Sequence, residues 1–167
     1  MNRDDGTMRI GLISDTHDKL ARTEMAVRRL LDEGAEVLLH CGDLTTAGAV
    51  ERCVGVPAYF VLGNNDYDEK GLRKAIEDSG GTCLGLGGEI EIAGRRLAIT
   101  HGHSGHMVRR LSVSAPDYLF YGHTHVAVDE LHGKTRWINP GALHRAEDYR
   151  AALLNLETGE LTSFLFA

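Results

Sequence analysis

Five short polar stretches hold nearly all the metal-capable side chains of the chain. They are Asp15-Thr-His17, Gly42-Asp43, Gly63-Asn64-Asn65-Asp66, His101-Gly-His103 and Gly122-His123-Thr-His125. Each follows an apolar run. Residues two apart on an extended segment point the same way, so Asp15 and His17 can reach one point past the strand before them. A carboxylate with an imidazole suits a borderline divalent cation. Any single stretch has an ordinary explanation, such as Asp43 capping a helix, Asn64 in a turn or histidines at the surface. Five of them in one chain point to a metal centre. The candidate ligands are Asp15, His17, Asp43, Asn64, His101, His123 and His125. That set exceeds the roughly four to six ligands of one ion and fits two ions about 3.5–4 Å apart with a shared carboxylate. Asp43 is the natural bridge, since an aspartate can give one oxygen to each ion. Mixed His, Asp and Asn ligands without thiolate suit hydrolysis rather than redox chemistry.

The elements that must position these loops alternate in the first half. A short apolar strand ends at Asp15, and a helix over 20–33 carries the stripe Leu20, Val27, Leu30 and Leu31 with Gly34 as its stop. Strands over 37–41 and 58–62 follow, with a short helix over 46–54 and a helix over 68–79 that Asp68 can cap. The second half turns to hairpins, over 89–100, 126–138 and 150–166, with a helix over 104–112 and a strand over 118–121. About ten strands in this length predict an α/β fold of two packed sheets, at least one of them mixed, with helices outside. Parallel strands present ligands at their carboxyl ends, so the five loops can converge. One domain is expected over 8–167, after a disordered leader over 1–7.

Composition narrows the function. The chain has 167 residues, 43% hydrophobic and 25% charged, with a formal net charge of -6. That charge opposes broad binding to a nucleic-acid backbone or an anionic membrane. It leaves room for a small anionic substrate, because bound cations reverse the local sign. No apolar run is long enough to span a bilayer. Cys41, Cys53 and Cys83 show no Cys-x-x-Cys spacing and predict no disulfide framework, which makes cytoplasmic residence the expectation. Cys41, inside an apolar run, reads as a small core residue.

The order Asp-x-His, Gly-Asp, Gly-Asn, His-Gly-His, Gly-His-x-His resembles the calcineurin-like metallophosphoesterase family over essentially the whole chain from Met8. The small size, Ser14-Asp-Thr-His-Asp18 and Asn139-Pro-Gly-Ala142 resemble its minimal branch, the YfcE-type phosphodiesterases. The resemblance implies a four-layer αββα sandwich of two mixed sheets. It implies one ion held by Asp15, His17, Asp43 and His125 and a second by Asp43, Asn64, His101 and His123. It also implies in-line attack on phosphorus by a metal-bridging hydroxide. The expected cofactor is a pair of divalent ions, manganese first, with iron, zinc or nickel as alternatives. The expected partner is a small phosphoester, with no membrane; oligomeric state is open, homodimer or higher included.

One departure from the family pattern concerns Asn65. Many members carry a histidine there that contacts phosphate and assists the leaving group. Asparagine donates a hydrogen bond but cannot deliver a proton. Either another group supplies the acid or the substrate has a leaving group that departs easily. His103 is the first candidate replacement, against a supporting hydrogen-bond role. Asp18 and Asp66 are candidates to orient ligand histidines or water. Arg109 and Arg110 read as a solvated helix face, and His40, His106, His132 and His144 as structural or exposed. The turn over 139–141 should pack under the site. Two function classes fit: a phosphodiesterase or phosphomonoesterase, and a non-catalytic metal-binding scaffold or protein-interaction module of the same fold. The complete ligand set favours the enzyme.

Overall fold

The computed structural model describes residues 6–167, so residues 1–5 of the expected leader lie outside the described residues. In chain order the elements are β1 (Arg9–Ile13), α1 (Leu20–Asp32), β2 (Val37–His40), α2 (Ala47–Arg52), β3 (Ala58–Phe60), α3 (Glu69–Asp78), β4 (Thr82–Cys83), β5 (Gly87–Ile92) and β6 (Arg95–Thr100). After these come α4 (Gly105–Val113), β7 (Tyr118–Phe120), β8 (Val128–His132), β9 (Thr135–Asn139), β10 (Tyr149–Asn155) and β11 (Leu161–Phe166). One sheet has the order β11-β10-β1-β2-β3-β4 and the other β5-β6-β7-β9-β8. Both are mixed. In the first, β1 to β4 are parallel and β10 and β11 antiparallel; in the second, β6, β7 and β9 are parallel with an antiparallel strand at each edge.

Strand alternation builds three packed interfaces between four layers. Ile10, Leu12, Leu39, Cys41 and Val61 of the first sheet meet Leu97, Ile99, Phe120 and Ile138 of the second. The opposite face of the first sheet, with Ile13, Leu38 and Phe60, packs against Ala26, Val27 and Leu30 of α1, Val50 of α2 and Leu72 and Ile76 of α3. Ala98 and Leu119 face Leu111 of α4. The result is the αββα sandwich. Gly11 allows α1 to lie close: a Cβ there would stand 2.7 Å from Leu38 Cδ2 and 3.2 Å from Leu30 Cδ1. Asp68 and Ser104 cap α3 and α4 by accepting from the backbone N–H of Gly71 and Met107.

Three details depart from expectation. The two-residue β4 went unseen, because a strand that short carries no period to read. The first hairpin begins at Gly87, two residues early, paired with Thr100. The second begins at Val128, because Val126 is held in the histidine loop by its N–H bond to Thr124 Oγ1 at 3.3 Å. No helix among the described residues is long and apolar enough to cross a membrane.

Candidate metal centre

The five polar stretches follow the carboxyl ends of β1, β2, β3, β6 and β7. Parallel registers, with Ile13 beside His40 and His40 beside Phe60, bring those ends level. Backbone bonds then tie loop to loop: Asp15 N–H donates to Gly42 O at 3.0 Å, His17 N–H to Asp43 O at 2.9 Å and Gly122 N–H to His101 O at 3.0 Å. Asp15, His17, Asp43, His123 and His125 all have positive φ, between 47° and 69°. Left-handed backbone costs a residue with a Cβ about 1–2 kcal/mol. Such strain persists where surrounding contacts over-determine it, as at ligand clamps.

Asp15, His17, Asp43 and His125 stand with ligand atoms within 4.8 Å of one another. His125 Nε2 lies 3.1 Å from Asp15 Oδ1, and His17 Nε2 lies 3.5 Å from Asp43 Oδ2. On the other side of Asp43, His101 Nε2 is 3.4 Å from its Oδ2. His101 Nε2 and His123 Nδ1 each lie 3.1 Å from Asn64 Oδ1. The other six candidate ligands thus fall into two groups on either side of Asp43.

The chemistry of this arrangement fits divalent cations. Asp15 Oδ1 and His17 Nε2 are buried without a hydrogen-bond partner. His101 Nδ1–H donates to Cys41 O at 2.7 Å, and His125 Nδ1–H to Arg145 O at 3.1 Å. In the neutral ring the other nitrogen, Nε2, then presents a lone pair to carboxylate oxygens, which is the tautomer a metal ligand needs. Lone pairs facing lone pairs require a positive charge between them. In the metal-free protein burial pulls the His101 pKa down, but a hydrogen bond from the protonated ring to Asp43 and the charges of Asp15 and Asp43 outweigh that and leave it raised. Burial pushes the Asp43 carboxyl up, yet hydrogen bonds from His101 and Asn65 hold it far below the usual carboxylate range. His17 is lowered by burial, against the pull of Asp43 and Asp15.

Several supporting residues escape a reading of the sequence. Asp66 makes no hydrogen bond to a candidate ligand histidine. Its carboxylate accepts three backbone N–H bonds, from Asp43 at 2.9 Å, Gly63 at 2.7 Å and Thr45 at 2.7 Å, and so clamps two ligand loops together. Asp18 is exposed and pairs with Lys19 at 3.3 Å. His40 is buried; its Nδ1 accepts Gly42 N–H at 3.1 Å and its Nε2–H donates to Thr16 Oγ1 at 3.0 Å, joining the β1 and β2 loops. Burial pushes its pKa down to about 3, so it stays neutral. Asn139 lies under the site as expected of its turn: its amide donates to Gly122 O at 3.0 Å and Thr124 Oγ1 at 3.1 Å. His144 is not remote, since its ring packs 4.3 Å from that of His17. The one signal for Asp66 was its place beside Asn64 and Asn65; His40 and Asn139 offered none beyond lying near a motif.

Asp66→Ala leaves three N–H donors without their acceptor. At roughly 1–3 kcal/mol for each buried orphan, softened by water entry, the metal-free protein should lose about 3–5 kcal/mol. For a chain of this size that is on the order of 10 °C in Tm. A scanning calorimetry trace matching wild type would rule out the clamp.

Asn65 N–H donates to Asp43 Oδ1 at 2.9 Å and its side-chain Nδ2 to Asp43 Oδ2 at 2.8 Å. His103 stands 5.4 Å from the His101 ring and 6.2 Å from that of His123, with its Nδ1 buried and unpartnered. Burial, then His101 and His123, lower its pKa. Arg109 and Arg110 are exposed, as expected.

Comparison with known proteins agrees with this geometry. Residues 8–159 match the calcineurin-like phosphoesterase superfamily domain. Phosphodiesterase MJ0936 of Methanocaldococcus jannaschii is 32% identical over 138 residues, 80% of this chain and 83% of its own. Phosphodiesterase YfcE of Escherichia coli K12 is 28% identical over 153 residues, covering 81% of this chain and 79% of its own. A solved structure of an archaeal phosphodiesterase superposes with a TM-score of 0.87 at 28% identity, over 95% of this chain and all of that one.

Proposed function

The chain belongs to the calcineurin-like phosphoesterase superfamily, and from that membership we propose that it is a phosphodiesterase working through two divalent cations. It is a metal-dependent phosphoester hydrolase. The observation that carries the metal reading is the pair of buried, partnerless acceptors Asp15 Oδ1 and His17 Nε2, and the binuclear reading is supported by a second group, Asn64, His101 and His123, on the other side of Asp43. Asp15, His17, Asp43 and His125 would hold one cation, and Asp43, Asn64, His101 and His123 the other. Manganese-like cations bound there supply Lewis-acid polarisation of phosphoryl oxygens and lower the pKa of water for in-line attack on phosphorus. Asp43 Oδ2 faces His17 on one side and His101 on the other, so Asp43 would be the shared ligand, and Asn65 donates to both of its oxygens. His103 stands beside His101 and His123 with its Nδ1 unpartnered, where it could contact the substrate by a hydrogen bond. The free cysteines Cys41, Cys53 and Cys83 fit a reducing compartment, the cytoplasm.

The test begins with protein stripped of metal and reloaded in turn with manganese, iron, zinc or nickel. Bis(p-nitrophenyl) phosphate and p-nitrophenyl phosphate are the substrates. The diester should be turned over faster, only with added metal, and not after chelation. Rate and metal affinity should fall together in acid, because ligand histidines must be neutral. In the metal-free protein the His101 pKa is raised and that of His17 lowered, so His101 takes a proton before His17 as pH falls. Turnover that survives exhaustive chelation, with metal absence confirmed, contradicts the mechanism. Tight metal binding with no phosphoester turned over points instead to the scaffold.

A further inference from the structure

We propose that Tyr67 is the proton donor to the leaving oxygen, so that the site accepts diesters with poor, alkoxide-type leaving groups. The inference rests on the phosphodiesterase reading above. Tyr67 is 86% exposed, although it is a large aromatic residue. Its hydroxyl is nonetheless held, donating to Asn65 Oδ1 at 3.1 Å. The other end of that amide donates to Asp43 Oδ2 at 2.8 Å. The phenol therefore stands two hydrogen bonds from the carboxylate at the middle of the metal centre, on the side open to solvent. Asn65 cannot deliver a proton, and it places a group that can at the rim of the site. The hydroxyl carries one proton and can turn it from Asn65 Oδ1 to an ester oxygen by rotating about its C–O bond, while water satisfies the half-exposed amide.

The step balances without a further reagent. The oxygen of a water molecule bonds to phosphorus as the phosphorus–ester oxygen bond breaks. The electron pair leaves on the ester oxygen, which takes the phenolic proton and departs as an alcohol. The exposed phenolate recovers a proton from solvent, and the proton lost by the attacking water also goes to solvent. A phenol is a much stronger acid than an aliphatic alcohol, so the transfer to alkoxide runs downhill. Nitrophenolate leaves without a proton and gains little from it.

The test compares wild type with Tyr67→Phe, both loaded with manganese. The substrates are methyl aryl phosphates of rising leaving-group pKa, extended to dimethyl phosphate. Loss of a general acid is typically about 10²–10⁴-fold, so the variant should lose about that factor on dimethyl phosphate and much less on methyl p-nitrophenyl phosphate. Its plot of log rate against leaving-group pKa should steepen. A second readout needs no turnover. Ethyl methylphosphonate, which keeps an alkoxy oxygen on phosphorus, should perturb the near-ultraviolet tyrosine spectrum of wild type but not of the variant. Equal slopes, or a spectral change that persists in Tyr67→Phe, overturn the role of Tyr67 alone. No turnover of any ester by loaded wild type overturns the phosphodiesterase reading, and Tyr67 with it.

Discussion

Asp43→Asn is expected to abolish nearly all turnover and to release at least one cation, with the fold retained. The substitution keeps the shape of the side chain. It removes the negative charge that would offset the two proposed cations, and it replaces one carboxylate oxygen by an NH2 group that cannot ligate. Removing the outer partner of a metal ligand typically costs about 10–100-fold, so losing the proposed shared ligand should cost more than that. The surroundings argue for a folded variant, because the Asp43 backbone N–H keeps its bond to Asp66 Oδ2 and its carbonyl keeps the His17 N–H. Elemental analysis and the rate on bis(p-nitrophenyl) phosphate check the expectation together. Full metal content with a near wild-type rate would remove Asp43 from the centre of the site.

Gly122→Ala should damage the site almost as much from outside the ligand set. A Cβ on Gly122 would lie 2.5 Å from Asp15 Oδ2 and closer still to Ser14 Oγ. Neither atom has room to yield. Ser14 Oγ–H donates to Asp15 Oδ2 at 2.6 Å, and the same oxygen accepts the N–H of His123 at 3.0 Å. Both residues are fully buried. The methyl must displace Asp15 or push the histidine loop outward, and either motion moves a ligand. Overpacking of this kind typically costs about 1–3 kcal/mol, and a ligand misplaced by about 1 Å can cost about 10²-fold in rate. The expected result is a lower Tm together with weaker metal affinity and slow turnover. Unchanged metal affinity in a calorimetric titration would show that the loop absorbs the methyl freely.

The ligand types and their spacing were legible because each motif is local. Asp15 and His17 sit two apart at the end of an apolar run, as His123 and His125 do. A strand that ends in chemistry can be read from alternation and composition alone, and the sandwich followed from counting such strands. The residues that hold the ligands in place were not legible in the same way. Asp66 clamps through backbone donors up to 23 residues away, and His40 reaches across 24 residues to Thr16. A backbone N–H carries no mark in the sequence, so its need for an acceptor appears only when two loops meet.

The sequence by itself pointed to the candidate donor set and the parallel strands that deliver it, and the family resemblance marked position 65 as lacking the usual histidine. The tertiary structure decided which oxygen each imidazole faces. Cys41 O and Arg145 O pin the far nitrogens of His101 and His125, and those partners lie 60 and 20 residues away. It also decided that the Asn65 amide turns inward to Asp43 while Tyr67 is held at the rim. The physical reason is that a side chain's identity sets what it can donate or accept, whereas its protonation and direction depend on neighbours that the fold alone brings near.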